Sequence, residues 1–241
     1  MRVSIHQPHY FPWLGYLDKM AKADMFVILD EVQFEKSSQM IRNRVLDQNG
    51  ETKYLTISGD TKNFLDRRYC DLCVKEPEIW TKRQMDALRN YYRKSKAKNE
   101  IFPLLEQFFS QEYATICQWT CGSIEWTRNI LGITTPLLYQ SQIDYDRSCK
   151  KSDLVYSICN ALHADVYFSG RGASVDYLER EKFAEHGVNI VFQDFVHPVY
   201  PQISSVSFVP GISILDMLLN CGIEESRRIF WENVHSTHEF E

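Results

Sequence analysis

The opening of the chain constrains its fold more than any other stretch. Residues 3–5 form a short apolar run that reads as a buried strand. It ends in His6-Gln7-Pro8-His9-Tyr10-Phe11-Pro12-Trp13, a polar, aromatic loop stiffened by two prolines. Leu14, Leu17, Met20 and Ala21 then recur at helical spacing, and Met25-Phe26-Val27-Ile28-Leu29 is a second buried strand closed by Asp30. Strand, loop, helix and strand in so short a span make one βαβ unit. It predicts an α/β fold, with a Rossmann-like, mostly parallel sheet flanked by helices. In open α/β sheets, ligands bind beyond the carboxyl ends of the strands. That rule places His6, Gln7, Asp30 and Gln33 on one rim. A His-Gln-Pro turn can also simply end a strand. Here, however, His6, Gln7, His9, Tyr10 and Trp13 crowd into one rigid loop, which costs stability unless it is used.

The rest of the chain extends this plan. Residues 41–46 and 53–57 alternate around Asp47-Gln48-Asn49-Gly50, which predicts a β-hairpin carrying Asn43 and Arg44 near the rim. The arginine fork suits phosphate or carboxylate, although a strand-face arginine is also ordinary surface. After an irregular passage over 60–78, Pro77 opens a helix expected to reach about residue 98. Its outer face, within 79–98, bears Lys82, Arg83, Arg89, Arg93, Lys94, Lys96 and Lys98. Such a charge run is ordinarily a solvated face, and its functional alternative is a dock for an acidic partner. Two further helices, over 101–110 and 113–131, complete a helical insertion at 77–132 between the parts of an α/β catalytic domain at 1–76 and 133–241.

The α/β pattern resumes with a strand at 135–139, a helix at 152–163 capped by Ser152, and a strand at 166–168. Ser169-Gly170-Arg171-Gly172-Ala173-Ser174 follows. A glycine loop at a strand end, before a helix over 177–185, can present backbone N–H groups to an anion, although turn glycines are equally common. Another strand spans 188–192. Then Phe195-Val196-His197-Pro198-Val199-Tyr200-Pro201-Gln202 repeats the chemistry of the first loop. Two stiff histidine loops at strand ends can converge on one pocket, one imidazole serving as general base and the other holding substrate. Ser213 and Asp216 suit the N-terminus of a last helix that stops at Gly222, and 235–241 read as a frayed tail.

Composition narrows the functional class. A formal net charge of -5 argues against general nucleic-acid binding, and no run of residues is long and apolar enough for a membrane span. No signal peptide is read at the N-terminus. With seven cysteines, an odd number, reduced thiols and a cytoplasmic location are expected. Cys70-x-x-Cys73 and Cys117-x-x-x-Cys121 have metal-like spacing. Lacking glycine-rich knuckles, they read as buried small hydrophobes, and no metal is expected.

Taken together, the clusters resemble the WbqC-like proteins, a family named for a product of bacterial O-antigen gene clusters. The resemblance rests on His6-Gln7-Pro8-x-Tyr10-x-Pro12-Trp13-x-Gly15-Tyr16, Asp24, Leu29-Asp30-x-Val32-Gln33-Phe34 and Asn43-Arg44. It continues through Ser169-Gly170, Tyr177-Leu178, His197-Pro198-x-Tyr200-x-Gln202 and Ser213-Ile214-Leu215-Asp216-x-Leu218-x-Asn220-x-Gly222. The run at 203–207 departs from the usual passage into Phe208-x-Pro210.

The resemblance implies a place in surface-polysaccharide biosynthesis. The expected reaction is transfer of an acyl or aminoacyl group, such as glycyl, from a thioester to the amine of a nucleotide-linked deoxyamino sugar, a dTDP-sugar being the expected substrate. No resident cofactor is required. The donor is a thioester of a carrier protein or coenzyme A, and an acidic acyl carrier protein would dock on the 79–98 basic helix. His6 or His197 would be the base, with Asp30 orienting a histidine or binding the incoming ammonium. Gln7, Asn43 and Tyr200 would polarise the carbonyl and Arg44 would hold a phosphate. Tyr10, Trp13, Gln33, Ser169, Arg171, Gln202, Asp216 and Asn220 complete the expected substrate site. Two alternatives stand beside it. One is ATP-dependent adenylation, because His6-x-x-His9 after a first strand is similar to the opening of the nucleotidylyltransferase superfamily. The other is a non-catalytic scaffold in glycan assembly.

Overall fold

The computed structural model describes residues 1–35, 38–172, 178–203 and 205–236, and the backbone of 239–240. The βαβ unit is present as β1 (Arg2–His6), α1 (Leu14–Ala21) and β2 (Met25–Ile28), with β1 and β2 parallel from Val3↔Met25 to His6↔Ile28. The hairpin follows as β3 (Arg42–Leu46) and β4 (Thr52–Thr56), a separate two-stranded sheet. Gly50 takes φ 80° in its turn, a conformation that favours glycine. Helices α2 (Pro77–Tyr91), α3 (Lys98–Phe109) and α4 (Ile116–Leu131) come next. The main sheet is completed by β5 (Leu137–Tyr139), α5 (Ser152–Ala161), β6 (Val166–Ser169), α6 (Arg180–Glu185) and β7 (Asn189–Gln193). The chain closes with α7 (Ile214–Cys221), α8 (Ile223–Ser236) and β8 (Glu239–Phe240).

The strand order is β5-β2-β1-β6-β7-β8, with the first five strands parallel and β8 antiparallel at the edge. This is the α/β architecture expected from the sequence. Both faces of the sheet are covered, and β2 shows why its sequence is apolar throughout. Phe26 and Ile28 join one core with α1, α2, α3, α4, α7 and α8, whereas Val27 and Leu29 join a second core beneath α5 and α6.

Four local expectations are corrected. The basic helix ends at Tyr91, because the next residues turn back over α7: the Tyr92 hydroxyl donates to Asp216, and Ser95 Oγ donates to the Leu219 carbonyl. Ser152 is not a cap. Lys151 occupies the N-cap position of α5, and Ser152 Oγ instead accepts the Glu179 N–H at 3.1 Å. Ser213 does cap α7, accepting the Leu215 N–H, but Asp216 turns inward. The expected tail is structured where described, with α8 running to Ser236 and β8 pairing with β7. The expected start of a helix at Tyr177, with Ala173 and Ser174, lies outside the described residues.

Candidate functional site

From β1 the chain builds the sheet first toward β2 and β5, then returns to add β6 and β7 on the other side. The carboxyl ends of β1 and β6 therefore part company at a topological switch point, where a crevice opens. Two adjoining cavities occupy it. The larger, about 740 Å³, is lined by His6, His9, Trp13, Tyr16, Lys19 and His197 among others. The smaller, about 460 Å³, is lined by Gln7, Lys151 and Ser169. His6, Lys19, Gly170 and Gly172 line both.

His6 ends β1, and its Nδ1 lies 2.9 Å from the Gln7 carbonyl. A carbonyl can only accept, so Nδ1 carries the proton and Nε2 keeps a free lone pair. His197 repeats the arrangement, with Nδ1 2.9 Å from the Pro198 carbonyl. Each histidine is thereby held in the tautomer of a base at Nε2. Burial, the Lys19 charge and His9 hold His6 well below the usual imidazole range, while the Gln7 carbonyl opposes them. Burial likewise lowers His197 against the opposing Pro198 bond. His9 stacks on Tyr16 at 4.9 Å and meets His6 edge-on at 4.6 Å, and burial pushes it down to about 3.

Lys19 is the principal residue that the sequence reading missed. It is only 3% exposed, and its Nζ donates to the Ile5 carbonyl at 3.2 Å. Desolvation lowers it to about 7. The neighbouring carboxylate, Asp18, is engaged elsewhere: Lys22 pairs with it at 3.1 Å, and Gln193 Nε2 donates to it at 2.5 Å. The available signal was weak. Residues 14–20 of α1 are all buried, so spacing alone does not separate a site-facing lysine from a solvated one.

The His197 loop is held from behind. Trp13 meets Phe195 edge-on at 5.4 Å, and the indole lies where a Gly15 side chain would stand, 2.2 Å from an ideal Cβ. Gln202 pinches the loop by accepting the Val209 N–H and donating to the Val209 carbonyl, and it also donates to Asp216 at 3.0 Å. Asp216 is fully buried and accepts the Tyr92 hydroxyl at 2.8 Å. Burial raises its pKa against the hydrogen bonds of Tyr92, Gln202, Tyr200 and Asn220.

The structure thus brings His6, Gln7, Trp13, Ser169, Arg171 and His197 to the crevice, Arg171 pairing with Asp194 at its rim. It does not bring the others there. Tyr10 is fully buried in the core. Asn43 is spent on the backbone, its Nδ2 donating to the carbonyls of Tyr10 and Phe11. Arg44 donates to the Gly211 carbonyl, and Gln33 to that of Phe64. Tyr200, Gln202, Asp216 and Asn220 form the supporting network. Asp30 accepts from the Ser141 N–H and hydroxyl and lines a separate cavity of about 340 Å³ with Cys117 and Cys121, whose sulfurs are 3.8 Å apart. Neither cysteine lines the histidine crevice.

Among the described residues, no helix is long and apolar enough to cross a membrane, and no cluster of His, Cys, Asp or Glu is arranged to hold a metal ion. No solved structure matches the chain. The uncharacterized protein Rv1507c of Mycobacterium tuberculosis (strain ATCC 25618 / H37Rv) is 28% identical over 225 residues, covering 92% of this chain and 95% of that protein. The WbqC-like protein family matches residues 7–228, a span that begins just after β1 and takes in the rest of the first loop, β2, β5, β6, β7 and the His197 loop. The chain belongs to the WbqC-like protein family.

Proposed function

We propose that the protein is an amide-forming transferase of surface-polysaccharide biosynthesis. It moves an acyl or aminoacyl group, such as glycyl, from a thioester to the amino group of a nucleotide-linked deoxyamino sugar. The observation that carries this reading is the placement of His6 and His197 on one cavity at the switch point, each with Nδ1 tied to a backbone carbonyl.

The chemistry asks for little else. A histidine Nε2 takes a proton from the sugar ammonium, and the freed amine attacks the thioester carbonyl. The C–N bond forms and the C–S bond breaks; of the two protons the nitrogen gives up, one passes from the histidine to the departing thiolate and the other is released to solvent. Both imidazoles are held neutral, which is the form a base requires at neutral pH. The carrier or coenzyme A bearing the thioester is a substrate, and this mechanism needs no resident cofactor.

The test is mass spectrometry of a small reaction matrix. The purified protein is mixed with a dTDP-linked amino-deoxy sugar and either glycyl thioester or free glycine plus ATP. A product one glycyl unit heavier with the thioester alone supports the transferase. The same product only with ATP, accompanied by AMP or ADP, replaces it with the adenylating reaction. No product in either mixture removes the amide-forming reading.

A further inference from the structure

The histidines account for the larger cavity and leave the smaller one without a role. Its charges are one-sided. Lys19 faces it from α1 and Lys151 from the N-terminal boundary of α5, against a single carboxylate among the described lining residues, Glu35. Lys151 also lines a third cavity, of about 560 Å³, with Tyr145, Arg147 and Lys150. In that cavity Glu31 already pairs with Arg68 and Arg147, whereas Lys150 and Lys151 stand in no ion pair among the described residues. A line of cations therefore runs from the third cavity through the smaller chamber to the wall it shares with His6.

Lys19 gives this line its meaning. A buried ammonium is expensive unless an opposite charge and hydrogen bonds compensate it. Among the described residues, Lys19 has one hydrogen-bond partner, the Ile5 carbonyl, stands 5.8 Å from the Phe26 ring, and pairs with no carboxylate. A ligand anion in the smaller chamber would supply the missing charge. Arg44, expected from the sequence to hold phosphate, lines none of these cavities.

We propose that the smaller chamber is a diphosphate site, in which Lys19 and Lys151 hold the two phosphoryl groups of a nucleoside-diphosphate ester. The nucleoside extends toward Tyr145 and Lys150, and the group on the far phosphate reaches His6 at the junction with the larger cavity. The identity of that group as an amino sugar rests on the transferase reading. The diphosphate itself does not, since a nucleoside triphosphate presents the same chemistry.

Calorimetric titration of the full chain tests the site. The probes are inorganic pyrophosphate, dTMP, dTDP and ATP, and the proteins are wild type, Lys19→Met and Lys151→Gln. The expected result is that dTDP binds at least about tenfold more tightly than dTMP and that pyrophosphate competes with it. Each variant should weaken dTDP by about tenfold or more with an unchanged circular dichroism spectrum. Lys151 is exposed, so Lys151→Gln tests the site even if Lys19→Met fails to fold. ATP binding more tightly than dTDP, with the same dependence on both lysines, supports the site and assigns it to a nucleoside triphosphate. Equal binding of dTMP and dTDP, wild-type affinity in the folded variants, or no binding of any probe overturns it. Lysine-dependent binding without glycyl transfer would sink the transferase and leave the site standing. Transfer unimpaired in both variants would do the reverse.

Discussion

The indole of Trp13 meets the ring of Phe195 edge-on at 5.4 Å, and through this contact the loop after β1 supports the loop that carries His197. Phe195 is in turn edge-on to His197 at 5.6 Å. His197 is thus tied to the loop after β1 by an aromatic chain, whereas His6 packs edge-on against His9 and Tyr16. Such ring pairs contribute about 0.5–1.5 kcal/mol beyond the area they bury. Phe195→Leu, which keeps apolar bulk and removes the ring, should lower kcat about tenfold while the protein stays folded. Gly15→Ala should act on the same chain, because the new methyl displaces the Trp13 indole. Turnover and circular dichroism of the two variants check this, and unchanged kcat in both would show that the chain positions nothing.

The histidines themselves should respond more strongly. His6→Gln and His197→Gln each remove an Nε2 base, a loss of about 10²–10⁴ in kcat by the usual range of acid–base catalysis. Both pKa values are depressed in the folded protein. The neutral base therefore persists as pH falls through 6.5, and the acid limb of the rate profile lies below that value. A profile that begins to fall above pH 7 on its acid side would contradict the burial of the two rings.

These residues show what was legible in the sequence and what was not. The opening βαβ unit, the hairpin and both histidine loops follow from local patterning, and the topology then brings the loops together at one switch point. Sequence alone does not separate Asn43 and Asp216 as ligands from internal braces, because the same polar groups serve equally well as either. Only their partners, the Tyr10 and Phe11 carbonyls in one case and Tyr92 and Gln202 in the other, distinguish the two uses. The end of α2 was hidden for a similar reason. Its sequence continues with helix-forming lysines, and what stops it is tertiary, the bonds from Tyr92 to Asp216 and from Ser95 to Leu219.

The brace role of Asn43 is itself testable. Its amide holds two consecutive carbonyls, at 3.2 Å from Tyr10 and 2.8 Å from Phe11, where Phe11 takes φ 39°. The site is 2% exposed, so removing the amide leaves those carbonyls without water to replace it. Asn43→Ala should cost about 2–3 kcal/mol of stability, read from the urea midpoint. A loss of activity with wild-type stability would instead return Asn43 to the substrate site.

Lys19→Met should stabilise the protein, in the direction opposite to its expected effect on ligand binding. Burial lowers the folded Lys19 pKa from 10.5 to about 7. Between those values the unfolded chain binds the proton and the folded protein does not, so stability rises with pH across that window. The penalty is complete below about pH 7 and absent above about pH 10.5, and on the usual free energy per pKa unit it is on the order of 5 kcal/mol. Lys19→Met should therefore raise the urea midpoint most at pH 6, with the gain shrinking toward pH 10. Binding should run the other way. Wild-type affinity for dTDP should weaken as pH rises through 7 and Lys19 loses its charge, and the variant should lack that step. His6 and His9, which face Lys19, are already neutral there, and Glu35 and Lys151 are the other charged side chains that line the chamber. A variant destabilised at pH 6 would show that the lysine is buried for packing rather than held, at a cost, for a ligand.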